Sequence, residues 1–198
     1  MNQTVKIFLV VGLISLSPVL SGMASQLGEN TKPICYACAS FDHNELALVK
    51  SCLFKARLDP RDTRVPRFFV ETCNHIPSLA NWSAEHWQEF GKLEKMMELA
   101  LRKTFDAELV NVACLMNLAG EEGTHTHWHF IPRLPHPITV TAPETGEAHT
   151  LQDPCYGKAY DMNGKNYVTV SSALMKAIIQ RVQENLDTAI LSSAELKK

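Results

Sequence analysis

The sequence has little net charge, and this excludes one class of partner. Its 19 lysines and arginines almost balance 21 aspartates and glutamates, so the formal net charge is −2. Such a chain lacks the basic surface with which proteins hold a nucleic acid backbone, and we expect no nucleic acid partner. It also has no internal repeat and no low-complexity segment. The sequence therefore predicts an ordinary globular domain.

The apolar run near the N-terminus, residues 7–14, is shorter than the roughly 20 residues of a transmembrane helix. It follows Lys6 and precedes Pro18 and several small residues, a pattern typical of a secretory signal. An uncleaved membrane anchor is the alternative. We therefore expect a secreted or periplasmic protein with no stable membrane association after cleavage. The predicted organisation is a signal at 1–24, a linker at 25–33, a single domain at 34–190 and a polar tail at 191–198.

Apolar periodicity predicts two helices. Ser83 is a favourable N-cap, and Glu85 lies in the first turn, where the helix dipole favours an anion. Apolar residues follow at helical spacing and should face the core, namely Trp87, Phe90, Leu93, Met97 and Leu101. The polar residues between them, Glu89 included, should face solvent, and the helix should end near Phe105. A final helix is predicted from Ser172, with one apolar face.

Three strands are predicted from aromatic and β-branched residues, at 67–72, 109–116 and 124–131. Pro132 should end the third strand. Residues 134–167 are rich in proline and glycine, which indicates loops and edge strands.

Three histidines alternate with other residues in the third predicted strand: His125, His127 and His129. Alternate residues of a strand share one face, so the three imidazoles should project together. Three interpretations are open. In the first the histidines are structural, in the second all three bind one metal ion, and in the third one is a nucleophile while the others orient the substrate. The spacing alone does not decide among them.

The segment 125–133, His-Thr-His-Trp-His-Phe-Ile-Pro-Arg, resembles the signature of the histidine triad family. Weaker similarities are the Cys-x-x-Cys at 35–38, the segment Asn-His-Ile-Pro-Ser-Leu at 74–79 and Asp-Pro-Cys-Tyr-Gly at 153–157. The resemblance covers roughly residues 33–160. It departs from the family where Glu121 replaces a common glutamine, and a carboxylate there would repel phosphate if it pointed inward.

The resemblance implies an α+β fold with an antiparallel sheet of about five strands, a long helix and a C-terminal helix. It implies that His127 attacks the α-phosphorus of a nucleotide and forms a nucleotidyl-histidine intermediate. His129 would donate a hydrogen bond to a phosphate oxygen, and Asn117 would contact the phosphate or the leaving group. The expected substrates are dinucleoside polyphosphates or nucleoside phosphoramidates. A homodimer is expected as well.

The resemblance also implies a structural zinc ion held by Cys35, Cys38, His75 and His125, a set that would fill a tetrahedral site. A disulfide between Cys35 and Cys38 is the alternative, because a secreted protein meets an oxidising environment. The other cysteines would be core residues or form a disulfide. Two further hypotheses stay open: a metalloenzyme with a three-histidine site, and a non-catalytic protein that binds zinc or a nucleotide.

Overall fold

Seven strands and two helices make up the part of the chain that the computed structural model describes, which is residues 35, 44–61, 64–116, 125–160, 168–187 and 190–191. The elements are β1 (Ala47–Lys50), β2 (Phe54–Leu58), β3 (Phe68–Thr72), α1 (Ala84–Phe105), β4 (Leu109–Ala113), β5 (His127–Arg133), β6 (Ile138–Thr141), β7 (Ala148–Leu151) and α2 (Ser172–Gln183). No helix in this part of the chain is long and apolar enough to cross a membrane. The predicted signal and linker, Cys38, Asn117, Glu121 and nearly all of the predicted tail lie outside the described residues.

Five strands form one sheet in the order β1-β2-β3-β5-β4, and every neighbouring pair is antiparallel. β6 and β7 form a separate hairpin. The long helix α1 packs against β4, β5 and the C-terminal helix α2. The predicted α+β fold, with five antiparallel strands, a long helix and a C-terminal helix, is confirmed.

The two faces of the sheet differ sharply in chemistry. Apolar side chains cover the face that contributes to the core with α1, and they include Phe54, Ala56, Leu58, Phe68, Val70 and Phe130. The intervening residues of the same strands face the other way. They include Lys55 and Arg57 on β2, Glu71 on β3, and His127 and His129 on β5. We call this second side the charged face, and it carries the site described below.

The sequence predicts α1 well at its ends. The Ser83 hydroxyl accepts the backbone N–H of His86, and the His86 ring accepts the backbone N–H of Ser83, which together form a capping box. Asp106 closes the helix in the left-handed conformation, with φ 45°. The core-facing positions are buried, with one exception. Trp87 is 46% exposed.

The prediction that Glu89, on the polar side of α1, faces solvent is wrong. It is buried, and its carboxylate accepts hydrogen bonds from the Ser51 hydroxyl at 2.6 Å and the Leu53 backbone N–H at 2.8 Å. The helix therefore holds the turn between β1 and β2, and this turn supplies the buried donors that a carboxylate needs.

Two strand boundaries also differ from prediction. β5 begins at His127 and continues through Pro132, which pairs with Val110. Pairing with β3 ends at Phe130, so beyond it β4 is the one neighbouring strand among the described residues. Proline is tolerated where one side of a strand has no ladder to complete. The strand predicted at 109–116 ends earlier, at Ala113.

Candidate active site

The three histidines of the motif separate into two groups. His127 and His129 lie in β5 on the charged face, with ring centroids 5.0 Å apart. His125 precedes the strand, and its ring contacts Cys35 and His75 instead. His125, which was predicted to bind zinc, is thus separated from His127 and His129, which were predicted to be catalytic.

His127 has a defined tautomer. Its Nδ1 lies 2.9 Å from the backbone oxygen of His125. A carbonyl oxygen can only accept, so Nδ1 carries the proton and Nε2 of the neutral ring keeps its lone pair. The side chain is half-buried, and its ring meets Phe69 edge-on at 5.6 Å. The backbone of one triad histidine therefore fixes which nitrogen of the next ring carries the proton.

His129 is buried, and neither ring nitrogen has a hydrogen-bond partner among the described residues. Burial is the main cause that lowers its pKa to about 3, and the neighbouring His127 and Arg67 contribute to the same shift. The ring is consequently neutral at physiological pH and carries one N–H. An unsatisfied buried donor costs about 1–3 kcal/mol, a penalty that an acceptor oxygen on a ligand would remove.

Replacing His129 with glutamine should make stability less dependent on pH. The unfolded chain binds a proton at an ordinary histidine pKa of about 6.5, whereas the folded chain does so only near pH 3. The stability of the wild type should therefore fall by about 1.4 kcal/mol per pH unit, from this residue alone, as the pH drops from 6 to 4. Denaturant unfolding at pH 7, 6, 5 and 4 measures the difference. The pKa of His125 is also lowered but is common to both proteins, so the difference isolates His129. Parallel pH profiles would show that His129 is not held neutral.

Cys35, His75 and His125 form the group of candidate metal ligands found among the described residues. Their ligand atoms all lie within 4.8 Å of one another, and Cys35 Sγ is 3.5 Å from His125 Nδ1. Nε2 of His125 lies 2.8 Å from the backbone oxygen of Thr72. Since that oxygen must accept, Nε2 is protonated and the lone pair of Nδ1 faces the sulfur.

This arrangement suits zinc. Sulfur and nitrogen ligands at ordinary zinc distances in a tetrahedral site are about 3.6 Å apart, close to the separation of Cys35 and His125. A metal-binding histidine usually donates its other N–H to a carbonyl or carboxylate, as His125 does to Thr72. Burial lowers the pKa of His125 and keeps the ring in the neutral form that a metal requires. Cys38, the fourth predicted ligand, lies outside the described residues.

The group does not include His127 or His129. A site in which all three triad histidines bind one metal ion, the metalloenzyme alternative, therefore has no support in the described geometry.

The charged residues that surround the histidines were not predicted from the sequence. Arg57 donates two hydrogen bonds to Glu71, at 2.6 and 3.1 Å, and Lys55 lies 3.5 Å from the same carboxylate. Arg61 and Arg67 both bind the fully buried carboxylate of Asp59. A signal was present in residues 54–59, Phe-Lys-Ala-Arg-Leu-Asp, whose strict alternation is typical of a strand with one charged face.

Arg133, after the triad, is a structural residue. It is buried, and its guanidinium donates to Asp153 and to the backbone oxygens of Cys155 and Lys158. It thereby ties the end of β5 to the segment that follows β7.

Comparison with solved structures assigns the fold. A histidine triad protein from Sinorhizobium meliloti 1021 superposes with a TM-score of 0.56 at 17% sequence identity, over 71% of this chain and 89% of that one. The chain has the histidine triad fold. A histidine triad protein from Marinobacter aquaeolei VT8 gives a TM-score of 0.53 at 16% identity, over 72% of this chain and 88% of the other.

A hypothetical histidine triad nucleotide-binding protein from Sulfolobus tokodaii strain7 gives a TM-score of 0.51 at 16% identity, over 77% of this chain and 91% of that one. No family model and no curated protein matches the sequence. At these identities the likeness concerns the histidine triad fold, and the chemistry has to be argued from the site itself.

Proposed function

We propose that the chain is a nucleotide hydrolase or nucleotidyl transferase in which His127 is the nucleophile. The observation that carries this proposal is the hydrogen bond from His127 Nδ1 to the backbone oxygen of His125, at 2.9 Å. It leaves Nε2 with a lone pair in a neutral ring, the form that attacks an electrophile. The buried ring of His129, which has no hydrogen-bond partner in the described part of the chain, lies beside it.

The proposed reaction has two steps. Nε2 of His127 bonds to the α-phosphorus of the nucleotide, and the bond from that phosphorus to the leaving group breaks. Water or another acceptor then attacks the same phosphorus, breaks the P–N bond and restores the imidazole. The N–H of His129 donates to a phosphate oxygen and stabilises the charge that develops there. Dinucleoside polyphosphates and nucleoside phosphoramidates are the proposed substrates, and Asn117 is proposed to contact the phosphate.

We also propose that Cys35, Cys38, His75 and His125 hold a structural zinc ion. When bound, zinc would supply a cross-link and no open position for chemistry. His125 would then connect the zinc site to the catalytic histidine. The ring of His125 is in the metal group, whereas its backbone oxygen holds the proton-bearing Nδ1 of His127. Fixing residue 125 therefore also fixes the nucleophile.

A covalent adduct tests the proposed chemistry directly. Protein mixed with adenosine 5′-phosphoramidate or diadenosine triphosphate and quenched in alkaline denaturant should gain the mass of one adenylyl group, mapped by fragmentation to His127. His127→Asn should gain none, whereas His136→Asn, which changes an exposed histidine, should behave as wild type. Turnover with no adduct under any quench, or an adduct on another residue, would exclude His127 as the nucleophile.

A further inference from the structure

Cross-strand pairing brings cations into the same rows as the two histidines. In one row, Arg57 on β2 pairs with Phe69 on β3, which pairs with His129 on β5. In the next row, Lys55, Glu71 and His127 are paired in the same way. Directly opposed residues of neighbouring strands lie within side-chain contact. The surroundings of the nucleophile are therefore charged.

The Phe69 ring lies at the centre of this face and is 3% exposed. The guanidinium carbons of Arg57, Arg61 and Arg67 lie 4.7, 5.5 and 5.7 Å from its centroid, and the ring of His129 lies at 4.9 Å. Cations and imidazoles thus cover the one phenylalanine of this row. Phe69 offers no open aromatic surface on which a nucleobase could stack.

Among the described residues, positive charge exceeds negative charge around this ring. The cations are Lys55, Arg57, Arg61 and Arg67, and the carboxylates are Asp59 and Glu71, each of which serves two cations. Arg57 and Arg67 are buried against these carboxylates, whereas Arg61, which also binds Asp59 through Nε and Nη2, has a side chain that is 52% exposed. The excess charge is therefore accessible to a ligand at Arg61. The same field contributes to the lowered pKa of His129.

We propose that Arg61 binds a second phosphate of the substrate, beside the phosphate that His127 attacks, while Arg57 and Arg67 supply fixed positive charge. The chain would then select substrates by their phosphoanhydride chain and not by a base stacked on Phe69. Guanidinium groups suit this role because their N–H donors match phosphate oxygens in pairs. The inference rests on the proposed function, since it takes His127 as the point of attack.

Binding of inorganic tripolyphosphate, which requires no turnover, tests the proposal first. Titration calorimetry at low ionic strength should show Arg61→Gln to bind at least about tenfold more weakly than wild type, a loss of about 1.4 kcal/mol. Arg61→Lys should retain most of the affinity. Arg102→Gln, which changes an exposed arginine of α1, should stay within about twofold. Added salt should weaken the wild type more than Arg61→Gln. Equal affinity of wild type and Arg61→Gln overturns the proposal, as does a wild type that binds adenosine monophosphate but not tripolyphosphate.

A second arm compares substrates. The ratio of kcat/KM for diadenosine triphosphate to that for adenosine 5′-phosphoramidate should fall about tenfold in Arg61→Gln, mainly through KM. An equal loss on both substrates argues against selection by the phosphate chain. A wild type that turns over neither compound would instead refute the proposed function, and tripolyphosphate binding would still decide the role of Arg61. Circular dichroism of each variant checks that it is folded.

Discussion

Replacing His127 with alanine should lower kcat/KM for nucleotide substrates by at least about a thousandfold while leaving bound zinc at the wild-type level. The loss is large because the substitution removes the lone pair that is proposed to attack phosphorus, and the removal of a catalytic nucleophile commonly has an effect of this size. Zinc should remain because the His127 ring bonds to the backbone oxygen of His125 and is not part of the metal group. Steady-state kinetics and metal analysis of the same preparations measure both quantities.

His136→Ala is the matched control for this experiment, since His136 is exposed and outside the site. It should retain both activity and zinc. If His127→Ala lost its zinc together with its activity, the three-histidine metal site would become the better interpretation. Undiminished turnover in His127→Ala would refute nucleophilic catalysis by this residue.

Replacing Cys35 with serine should abolish zinc binding and lower the free energy of unfolding by more than about 4 kcal/mol, a size typical of the loss of a structural metal. For a domain of this length the melting temperature should fall by about 10 °C or more. Cys35 is buried next to His125, so the effect includes the loss of a buried contact as well as of a ligand. Thermal unfolding with and without a chelator measures it, and the chelator should destabilise the wild type but not Cys35→Ser.

Cys155→Ser is the control, because Cys155 is a half-buried thiol outside the metal group. It should stay sensitive to the chelator. The disulfide alternative predicts the opposite pattern in the wild type. A reductant would then lower the melting temperature, and a chelator would leave it unchanged.

Local signals explain which elements the sequence predicts. α1 can be read from Ser83 at its start and from apolar residues at helical spacing, because capping and burial act in the same direction there. Strand β2 is harder to recognise, since its charged residues are buried and buried charges are uncommon. Their partners, Glu71 on β3 and the Asp59 carboxylate beyond β2, become neighbours only when the sheet assembles.

In the candidate site, too, local features can be predicted from the sequence, whereas features that depend on the assembled sheet cannot. The residues of the triad can be found from their spacing, and the family resemblance separates His125 from the other two, but spacing alone predicts one shared face because it does not show that β5 begins only at His127. Helical periodicity was also wrong for two residues of α1, since it predicted an exposed Glu89 and a buried Trp87, whereas Glu89 is buried and Trp87 is exposed. The donors that bury Glu89 belong to a turn 36 and 38 positions away, which no local pattern in α1 reveals.

His125 contacts two neighbours with different groups. Its imidazole contacts Cys35, and its main-chain oxygen accepts a hydrogen bond from His127. Substitution of the side chain deletes the first link and leaves the acceptor of the second chemically intact. Any fall in turnover in His125→Ala would therefore reflect greater mobility of the residue 125 carbonyl, which would no longer be restrained by the contacts of the imidazole. It would not reflect the loss of a group that takes part in the proposed reaction. Substitutions at position 125 would thus test how firmly the backbone holds the His127 ring, whereas substitutions at position 127 would test the proposed nucleophile itself.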